Sequence, residues 1–376
     1  LRRHDRKVRR DRSRQRGNKR CRGIFHICRS SCGKNPQSEK AGVKLKKKEY
    51  GGYLPLELNR KTEYFNYDND CMIRLNCGRS AILCAVFDAG YKKIHLPFYT
   101  CQSVSEACRQ YGIPYEYYHI DDRFRPLHVR LKEDEAILWT NYFGIGSRNQ
   151  EEQIAAEYGN VILDHAQAFF AEPVMDVYNA YSCRKFFGVS DGAYLIHRGL
   201  RQRELQQDVS SPTAQYLMQS VEAGTNAAYH SSLENEKRVE RAGILQMSEL
   251  TRQILQSVEY ETVKKVRKQN FFYLHQRLKA LNQLDALADR ADADGGYRMQ
   301  DEVPMVYPFL YECDGLREYL ISHCIYVPQW WKWVAGSPEA GAFERTLSQY
   351  LFALPIDQRY DEADMEQICR VILNYV

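Results

Sequence analysis

The sequence contains no apolar run that approaches the ~20 residues a transmembrane helix needs. It also lacks the secretory-signal pattern of a basic start, an apolar centre and a small-residue cleavage site. We therefore expect neither a membrane protein nor a secreted one.

A spaced cysteine framework is missing as well. The 12 cysteines of this 376-residue chain are scattered singly, as at Cys71, Cys84 and Cys183. In a chain of this length they are expected to be reduced core residues of a cytoplasmic protein. The sequence has no internal repeat either.

The composition, 44% hydrophobic and 27% charged, is that of an ordinary globular protein with enough residues for two domains. The net charge of +5 is unevenly distributed. Residues 1–34 carry 14 Lys or Arg and 2 Asp, a net +12, which leaves −7 for the rest of the chain. The basic character therefore belongs to the N-terminal tail.

Residues 1–48 have almost no hydrophobic periodicity and are predicted to be a basic disordered tail. An arginine-rich segment can bind nucleic acid through phosphates. Because the chain starts with Leu and the composition changes sharply after the tail, we instead favour an upstream extension or a fragment artefact. A targeting peptide has no amphipathic helix to support it. The gaps between Cys21, Cys28 and Cys32 are unlike those of zinc sites.

From residue 49 onward, short apolar strands alternate with helical segments, which predicts a mostly parallel α/β sheet. Beyond Gly199 the pattern becomes helical, with long helices predicted over Glu234–Val258 and Glu261–Leu281. The predicted domains are a large α/β domain over 49–255, with an N-terminal arm over 49–70, and a small α+β domain over 256–376. The predicted strands are Met72–Leu75, Ile94–Leu96, Tyr115–Ile120, Ala136–Thr140, Val161–Leu163, Ala193–Ile196 and Val303–Tyr311. The other predicted helices are Ala81–Ala89, Ser103–Tyr111, Gln150–Tyr158 and Asp361–Val376.

Polar residues follow several of the predicted strands. Arg79, Asn141, Asp164 and Lys185 lie at strand ends or in the loops after them, where open α/β sheets bind their ligands. The turn Gly78-Arg79-Ser80 joins a strand to a helix N-terminus, whose N–H groups favour a phosphate. Glycine turns before helices are common, so this turn alone is weak evidence.

Asp164, Gln167 and Lys185 each allow two interpretations. A buried Asp164 needs a cationic partner, which a protonated pyridine nitrogen or a structural arginine would supply equally well. Gln167 would hydrogen-bond a ring oxygen or cap a turn. Lys185 follows Arg184 and precedes two phenylalanines, surroundings that favour an imine-forming amine. On spacing alone, however, a surface lysine lying over aromatic rings is the favoured interpretation.

Four segments together narrow these alternatives: Leu163–Ala168, Tyr181–Ala193, Asn76–Ala81 and Pro97–Thr100. They resemble the Glu-Asp-Ala-Ala-Gln-Ala segment, the Ser-Phe…Lys and Gly-Glu-Gly-Gly segments, the Gly-Thr phosphate turn and the Pro-x-x-Thr loop of one family. That family is the DegT/StrS pyridoxal-phosphate-dependent sugar aminotransferases of fold type I, of which the chain resembles a divergent branch. The resemblance covers roughly residues 50–376.

The resemblance implies a role for each of three central residues. Lys185 would hold pyridoxal 5′-phosphate as an internal imine and move a proton during the reaction. Asp164 would keep the ring nitrogen protonated, so that the ring acts as an electron sink. Gln167 would contact the ring oxygen.

For the rest of the cofactor, the resemblance implies that Ser182 and the Gly78-Arg79-Ser80 turn bind the phosphate. Ser182 lies three residues before Lys185, whereas the family leaves about five, and Arg79 replaces a threonine. Cys101 stands where relatives place an aromatic residue that stacks on the ring, so either Tyr99 or Cys101 is expected to contact it. No metal is expected.

The implied reaction transfers an amino group, with glutamate as donor, to a keto group of a nucleotide-activated sugar in amino-sugar or polysaccharide biosynthesis. A homodimer is implied, whereas a nucleic-acid partner is not expected despite the tail. The alternatives are another reaction on the same cofactor, such as a dehydratase, and a non-catalytic cofactor-binding regulator. Lys185 disfavours the dehydratase, because that branch typically carries a histidine in its place.

Overall fold

The computed structural model describes residues 50–288, 299 and 302–376. The chain divides into two compact units, residues 1–56 and 57–376. The described part of the first unit, residues 50–56, is exposed and contains neither helix nor strand. The predicted disorder of residues 1–48 lies outside the described residues, and the fold below is that of the second unit.

An eight-stranded sheet forms the centre of this unit, with the strand order β1-β8-β7-β6-β5-β2-β3-β4. Its strands are β1 (Met72–Leu75), β2 (Lys93–Pro97), β3 (Tyr115–Ile120), β4 (Pro126–Leu127), β5 (Glu135–Thr140), β6 (Val161–His165), β7 (Tyr178–Ser182) and β8 (Ala193–Ile196). A separate antiparallel pair is formed by β9 (Val306–Leu310) and β10 (Leu351–Pro355).

The described helices lie around these sheets, and two 3₁₀ turns, Tyr142–Gly144 and Ser211–Thr213, connect the elements. The helices are α1 (Gly78–Ala89), α2 (Gln102–Gln110), α3 (Arg148–Tyr158), α4 (Gln215–Ala227), α5 (Tyr229–Arg241), α6 (Glu249–Leu255), α7 (Tyr260–Leu278), α8 (Asp285–Ala288), α9 (Leu316–Ser322), α10 (Lys332–Gly336), α11 (Ala342–Tyr350) and α12 (Glu362–Leu373). Within the described residues, we find no helix with the length and apolarity that crossing a bilayer requires.

The strand directions bring most strand ends to one edge. Neighbours in the series β7-β6-β5-β2-β3 are parallel. β8 is antiparallel to both β1 and β7, so β1 runs in the same direction as β7. The carboxyl ends of six strands therefore meet at a single edge of the sheet, which we call the carboxyl edge. The predicted α/β class with a mostly parallel sheet is confirmed.

The two faces of the sheet are covered by different helices. Ile162 and Ala180 pack in one hydrophobic cluster with residues of α1 and α2, whereas Leu163 belongs to a second cluster that includes α7 and α12. Side chains alternate between faces along a strand. Asp164 and Ser182, two residues beyond Ile162 and Ala180, therefore lie on the α1 face at the carboxyl edge.

The prediction of a continuous helix over Glu234–Val258 is wrong, because α5 ends at Arg241 and α6 begins only at Glu249. Gly243 between them has a positive φ of +69°, and the segment runs beside the end of β1. Asn76 donates its backbone N–H to Leu245 O at 3.0 Å and its side-chain amide to Gly243 O at 2.9 Å. These long-range bonds interrupt a pattern that is locally helical.

Two other helices are shorter than predicted. α7 ends at Leu278 rather than Leu281, and α12 covers Glu362–Leu373 within the predicted Asp361–Val376. Asp361 is the N-cap of α12, where its carboxylate accepts the N–H groups of Ala363 and Asp364 at 2.9 and 3.2 Å.

The largest hydrophobic cluster continues from the sheet into the C-terminal region, joining Trp139 and Leu163 to Phe271, Phe309 and Phe352. Helix α7 and the β9–β10 pair thus pack directly behind the carboxyl edge. The predicted domain boundary between residues 255 and 256 lies inside this compact unit and stays a prediction.

Candidate active site

Asp164 lies in β6 near the carboxyl edge and is only 8% exposed. Its carboxylate accepts the Ala166 N–H at 2.9 Å and the Thr140 hydroxyl at 3.4 Å. Burial raises the pKa of Asp164 above its ordinary value, and the positive charge of nearby Lys185 opposes this rise. A carboxylate offers about four acceptor positions, so Asp164 has capacity left for a cationic ligand.

Lys185 lies in the turn that follows β7, and its side chain is exposed. Phe186 and Phe187 donate their backbone N–H groups to Cys183 O at 3.1 and 3.0 Å, which closes this turn. Within the described part of the chain, the Lys185 ammonium makes no hydrogen bond or ion pair. The amine is therefore available to a ligand beside Asp164.

Gln167 is buried, and a single contact sets the orientation of its amide. Its Oε1 accepts the backbone N–H of Phe143 at 2.8 Å. The donor end, Nε2, makes no hydrogen bond to any residue that the structure describes. Phe143 itself has a φ of +60°, and the next residue, Gly144, packs so tightly that a Cβ there would lie 2.6 Å from Gln167 O. Gln167 thus points a fixed and unused donor away from this turn.

The start of α1 meets the end of β7. A Cβ built on Gly78 would lie 3.5 Å from the Ser182 Cβ, so the two residues are neighbours. Cys77, the N-cap of α1, contributes no side-chain hydrogen bond to the helix start. The Ser182 hydroxyl likewise has no hydrogen-bond partner among the described residues. Free N–H groups, the helix dipole and this hydroxyl form a site suited to an anion.

The other two residues of the turn differ from each other. The Ser80 hydroxyl lies 3.1 Å from Cys77 Sγ and donates to Gly243 O at 3.4 Å, so protein groups already occupy it. Arg79 has a buried Nη2 without a partner in the described residues. A cationic group in this state is available for an anionic ligand.

The two residues predicted to contact the cofactor ring are placed very differently. Tyr99 is fully buried, with its ring 4.3 Å from that of Trp331 and 5.7 Å from that of Tyr142. Cys101 is exposed at the start of α2, where it accepts the Ser103 hydroxyl at 3.1 Å. Contact of either residue with a cofactor ring stays a prediction.

The tryptophans of the C-terminal region pack onto loops of the carboxyl edge. Trp330 stacks on Phe143 at 5.5 Å, and Trp333 donates its indole N–H to Thr100 O at 3.0 Å. These contacts show the tryptophans supporting the loops that carry Thr100 and Phe143.

His165 and Asn141 form a polar network on the opposite face from Asp164. Buried Glu151 accepts hydrogen bonds from both, at 2.8 Å from His165 Nε2 and 2.7 Å from Asn141 Nδ2. Asn141 also donates its backbone N–H to Asp164 O at 3.1 Å. This network therefore supports β6 from behind rather than adding groups to the site.

Thr140 and Phe143 were not among the predicted site residues. Thr140 faces Asp164 in the strand register, and Phe143 supplies the N–H that holds Gln167. The strand end at Thr140 was visible in the sequence and could have marked it. The contribution of Phe143 is a backbone group, which no residue type reveals.

Comparisons with known proteins bear on the fold of this chain. No family model matches the sequence, and no curated protein matches it. Solved structures do match. A DegT DnrJ EryC1 StrS aminotransferase from Brucella abortus is 15% identical with a TM-score of 0.50, covering 81% of this chain and 85% of its own.

Two further structures match equally well. DesI, determined in the presence of its TDP-sugar product, is 14% identical with a TM-score of 0.52 and covers 80% of this chain and 79% of its own. 3-Amino-5-hydroxybenzoic acid synthase is 13% identical with a TM-score of 0.51 and covers 81% and 85%. The chain therefore has the same fold as these structures, that of the fold-type-I aminotransferases.

Proposed function

We propose that this protein is a pyridoxal-phosphate-dependent aminotransferase that transfers an amino group to a keto group of a nucleotide-activated sugar. One observation carries the proposal. Four side chains lie at one edge of the sheet: Asp164, Gln167, Ser182 and Lys185. The carboxylate of Asp164 is under-coordinated, and Gln167 Nε2, Ser182 Oγ and Lys185 Nζ have no hydrogen-bond partner among the described residues. A buried carboxylate with so few partners as Asp164 costs stability unless a cationic ligand completes it.

The residues present fit the cofactor at each of its functional positions. A protonated ring nitrogen would complete the buried carboxylate of Asp164, and the oxygen of the ring would accept from Gln167 Nε2. The N-terminus of α1, the Ser182 hydroxyl and Arg79 would hold the phosphate. Once bound, the cofactor supplies an electron sink for the carbanion formed at the substrate.

Each protein group then has a defined role. Lys185 anchors the cofactor through its amine and afterwards moves the substrate proton. Asp164 keeps the proton on the ring nitrogen, since its buried negative charge is stabilised by that cation. Gln167, held by Phe143, orients the ring, and the cluster behind it excludes water from that side.

The finer parts of the proposal extend the likeness to DesI, whose structure was determined with a TDP-sugar product. We propose glutamate as amino donor, a homodimer, a cytoplasmic location and a role in amino-sugar biosynthesis. The domains proposed are 49–255 and 256–376. A different reaction on the same cofactor is the second candidate, because 3-amino-5-hydroxybenzoic acid synthase shares the fold.

The first experiment tests the covalent attachment. Purified protein incubated with pyridoxal 5′-phosphate and reduced with borohydride is digested and mapped by mass spectrometry. We expect the pyridoxyl group on Lys185, and a visible absorbance band that the Lys185→Ala variant lacks. Lys92→Ala is the matched control, because Lys92 is exposed next to β2 at the other edge of the sheet. Labelling spread over surface lysines, or a colourless protein, contradicts the proposal.

The substrate is tested by single turnover. The loaded protein is mixed with glutamate, and then with a panel of nucleotide-linked keto-sugars. The glutamate step should bleach the band, and one class of keto-sugar should restore it. Restoration by a non-sugar ketone alone would support the second candidate.

A further inference from the structure

Arg267, on the inner side of α7, is an unusual feature of the core because it is only 1% exposed. No carboxylate forms an ion pair with it among the described residues. The nearby carboxylate of Asp357 is held by Arg359 at 2.7 and 2.9 Å. Burial lowers the pKa of Arg267 to about 10, and Asp357 partly offsets this effect. A buried cation without an ion-pair partner is costly, so its contacts need an explanation.

The guanidinium contacts the turn that carries Lys185. It lies 4.6 Å from the ring centroid of Phe186, the residue that follows Lys185. Its Nε donates to Gln358 Oε1 at 3.2 Å, and Gln358 Nε2 donates to Phe186 O at 2.9 Å. Phe186 is therefore held at its ring and at its backbone by two side chains from the C-terminal region.

The same guanidinium reaches the turn that orients Gln167. Arg267 Nη1 donates to Met305 O at 2.9 Å, and the N–H of Met305 donates to Phe143 O at 2.8 Å. Phe143 in turn gives its N–H to Gln167 Oε1. One buried side chain thus connects the supports of two proposed cofactor contacts.

The orientation of Lys185 depends on this arrangement, because its own side chain has no partner among the described residues. The backbone of its turn sets the position and direction from which this flexible side chain starts, and therefore the region that the amine can reach. Reacting groups must be aligned closely, and a displacement of about 1 Å costs on the order of 10²-fold in rate.

We infer that Arg267, together with Gln358, is a positioning residue that sets the orientation of Lys185 through Phe186 and couples it to Gln167. This inference rests on the proposed function. It assigns to the C-terminal region a direct influence on the reactivity of the lysine, without contact to substrate.

The test separates cofactor binding from lysine positioning. Pyridoxal 5′-phosphate reports the rate of Schiff-base formation, followed by absorbance. 4′-Deoxypyridoxine 5′-phosphate, which has no aldehyde, reports the affinity of the pocket alone. In Arg267→Met we expect Schiff-base formation to slow by about tenfold or more, while the affinity for the deoxy compound, which reports the Gln167 contact but not the lysine, falls by a clearly smaller factor. Arg267→Lys should recover only part of the rate, because an ammonium lacks the planar stacking and the forked donors.

Arg317→Met is the matched control. Arg317 also donates to backbone carbonyls, those of Val327 and Leu351 at 3.0 Å, and lies over a phenylalanine, Phe352, at 4.8 Å. Its removal should lower stability without slowing Schiff-base formation. Gln358→Leu serves as the milder variant if Arg267→Met does not fold, and it should slow the reaction in the same way.

A double-mutant cycle decides whether Arg267 acts through Phe186. The effects of Arg267→Met and Phe186→Leu on the rate should be strongly non-additive. Additive effects, or equal losses of rate and of affinity for the deoxy compound, overturn the inference while the proposed function stands. A wild-type protein that forms no Schiff base overturns both.

Discussion

Two buried aspartates near the same sheet show how a structural carboxylate differs from one left available for a ligand. Asp191, just before β8, accepts the Ser248 N–H at 2.7 Å, the Ser248 hydroxyl at 2.6 Å and the Thr251 hydroxyl. Asp164 accepts one backbone N–H at 2.9 Å and one hydroxyl at 3.4 Å. Burial alone does not distinguish the two, because both lie below one-tenth exposure. The distinction lies in how far the protein itself satisfies the charge.

The partners of Asp191 also explain its task. Ser248 and Thr251 begin α6, so the carboxylate attaches the start of that helix to the strand β8. The surroundings of Asp164 hold the strand in place but leave the carboxylate with few partners and within the electrostatic influence of Lys185. We therefore predict that the substitution of aspartate by asparagine has opposite effects at the two positions: a loss of turnover at Asp164 and a loss of stability at Asp191.

The largest difference should appear in turnover. In the proposed function, Asp164→Asn removes the charge that keeps a proton on the cofactor ring. We therefore expect the amino-transfer rate to fall by about 10²–10³-fold, the scale of losing a preorganised electrostatic group. Lysine attachment of the cofactor should persist. The measurement is single-turnover absorbance with glutamate. Asp191→Asn, corrected for folded fraction, should retain most of the wild-type rate, and equal losses in both variants would erase the distinction.

Stability should respond in the reverse order. Asp191→Asn replaces charge-assisted hydrogen bonds by weaker ones and leaves donors facing an amide, which we expect to cost about 2–4 kcal/mol of unfolding free energy. Asp164→Asn in cofactor-free protein should be close to neutral, since an under-coordinated buried charge is removed. Urea unfolding of both variants, freed of cofactor, gives the comparison. A larger loss for Asp164→Asn would mean that Asp164 is the structural residue.

Most of the sheet was predictable, but the difference between these aspartates was not. The strands at Met72–Leu75, Tyr115–Ile120 and Ala193–Ile196 follow their apolar runs and have the predicted bounds. Asp164 was expected just after its strand, and it lies within it as part of β6. The prediction that Asp164 is a site residue came from the motif around it, because the residue type itself is shared with Asp191.

What the sequence could not show are contacts between distant segments. The break between α5 and α6 arises from bonds between Asn76 and residues 243–245, more than 160 positions away. Local periodicity continued through that break, and a helix was therefore predicted across it. The contact between Arg267 and Phe186 joins segments that are 81 positions apart in the sequence. Neither contact leaves a pattern in the residues near it.

A smaller difference between the two aspartates should appear in how much cofactor binding stabilises the protein. A ligand at 100 times its Kd stabilises a protein by about 2.7 kcal/mol. Pyridoxal 5′-phosphate should therefore raise the unfolding temperature of the wild type and of Asp191→Asn by similar increments. In Asp164→Asn the increment should be clearly smaller, because the ring nitrogen loses its partner. Thermal unfolding with and without the cofactor measures it, and an unchanged increment would remove Asp164 from the ring-nitrogen contact.

The smallest expected effect is in the pH dependence of the cofactor-free protein. Burial raises the pKa of Asp164 above the ordinary aspartate value of 3.8, with the charge of Lys185 opposing it. Between these two pKa values the folded state binds a proton that the unfolded chain does not. The unfolding free energy contributed by Asp164 is therefore fully present below 3.8 and is lost as the pH rises through the raised pKa.

Asp164→Asn has no such titration, so the wild type should lose stability relative to this variant as the pH rises across that window. Urea unfolding of both proteins at a series of pH values tests the sign of this change. If the wild type instead became more stable relative to the variant as the pH rises, the protein's own groups would already stabilise the charged form of Asp164, as they do for Asp191.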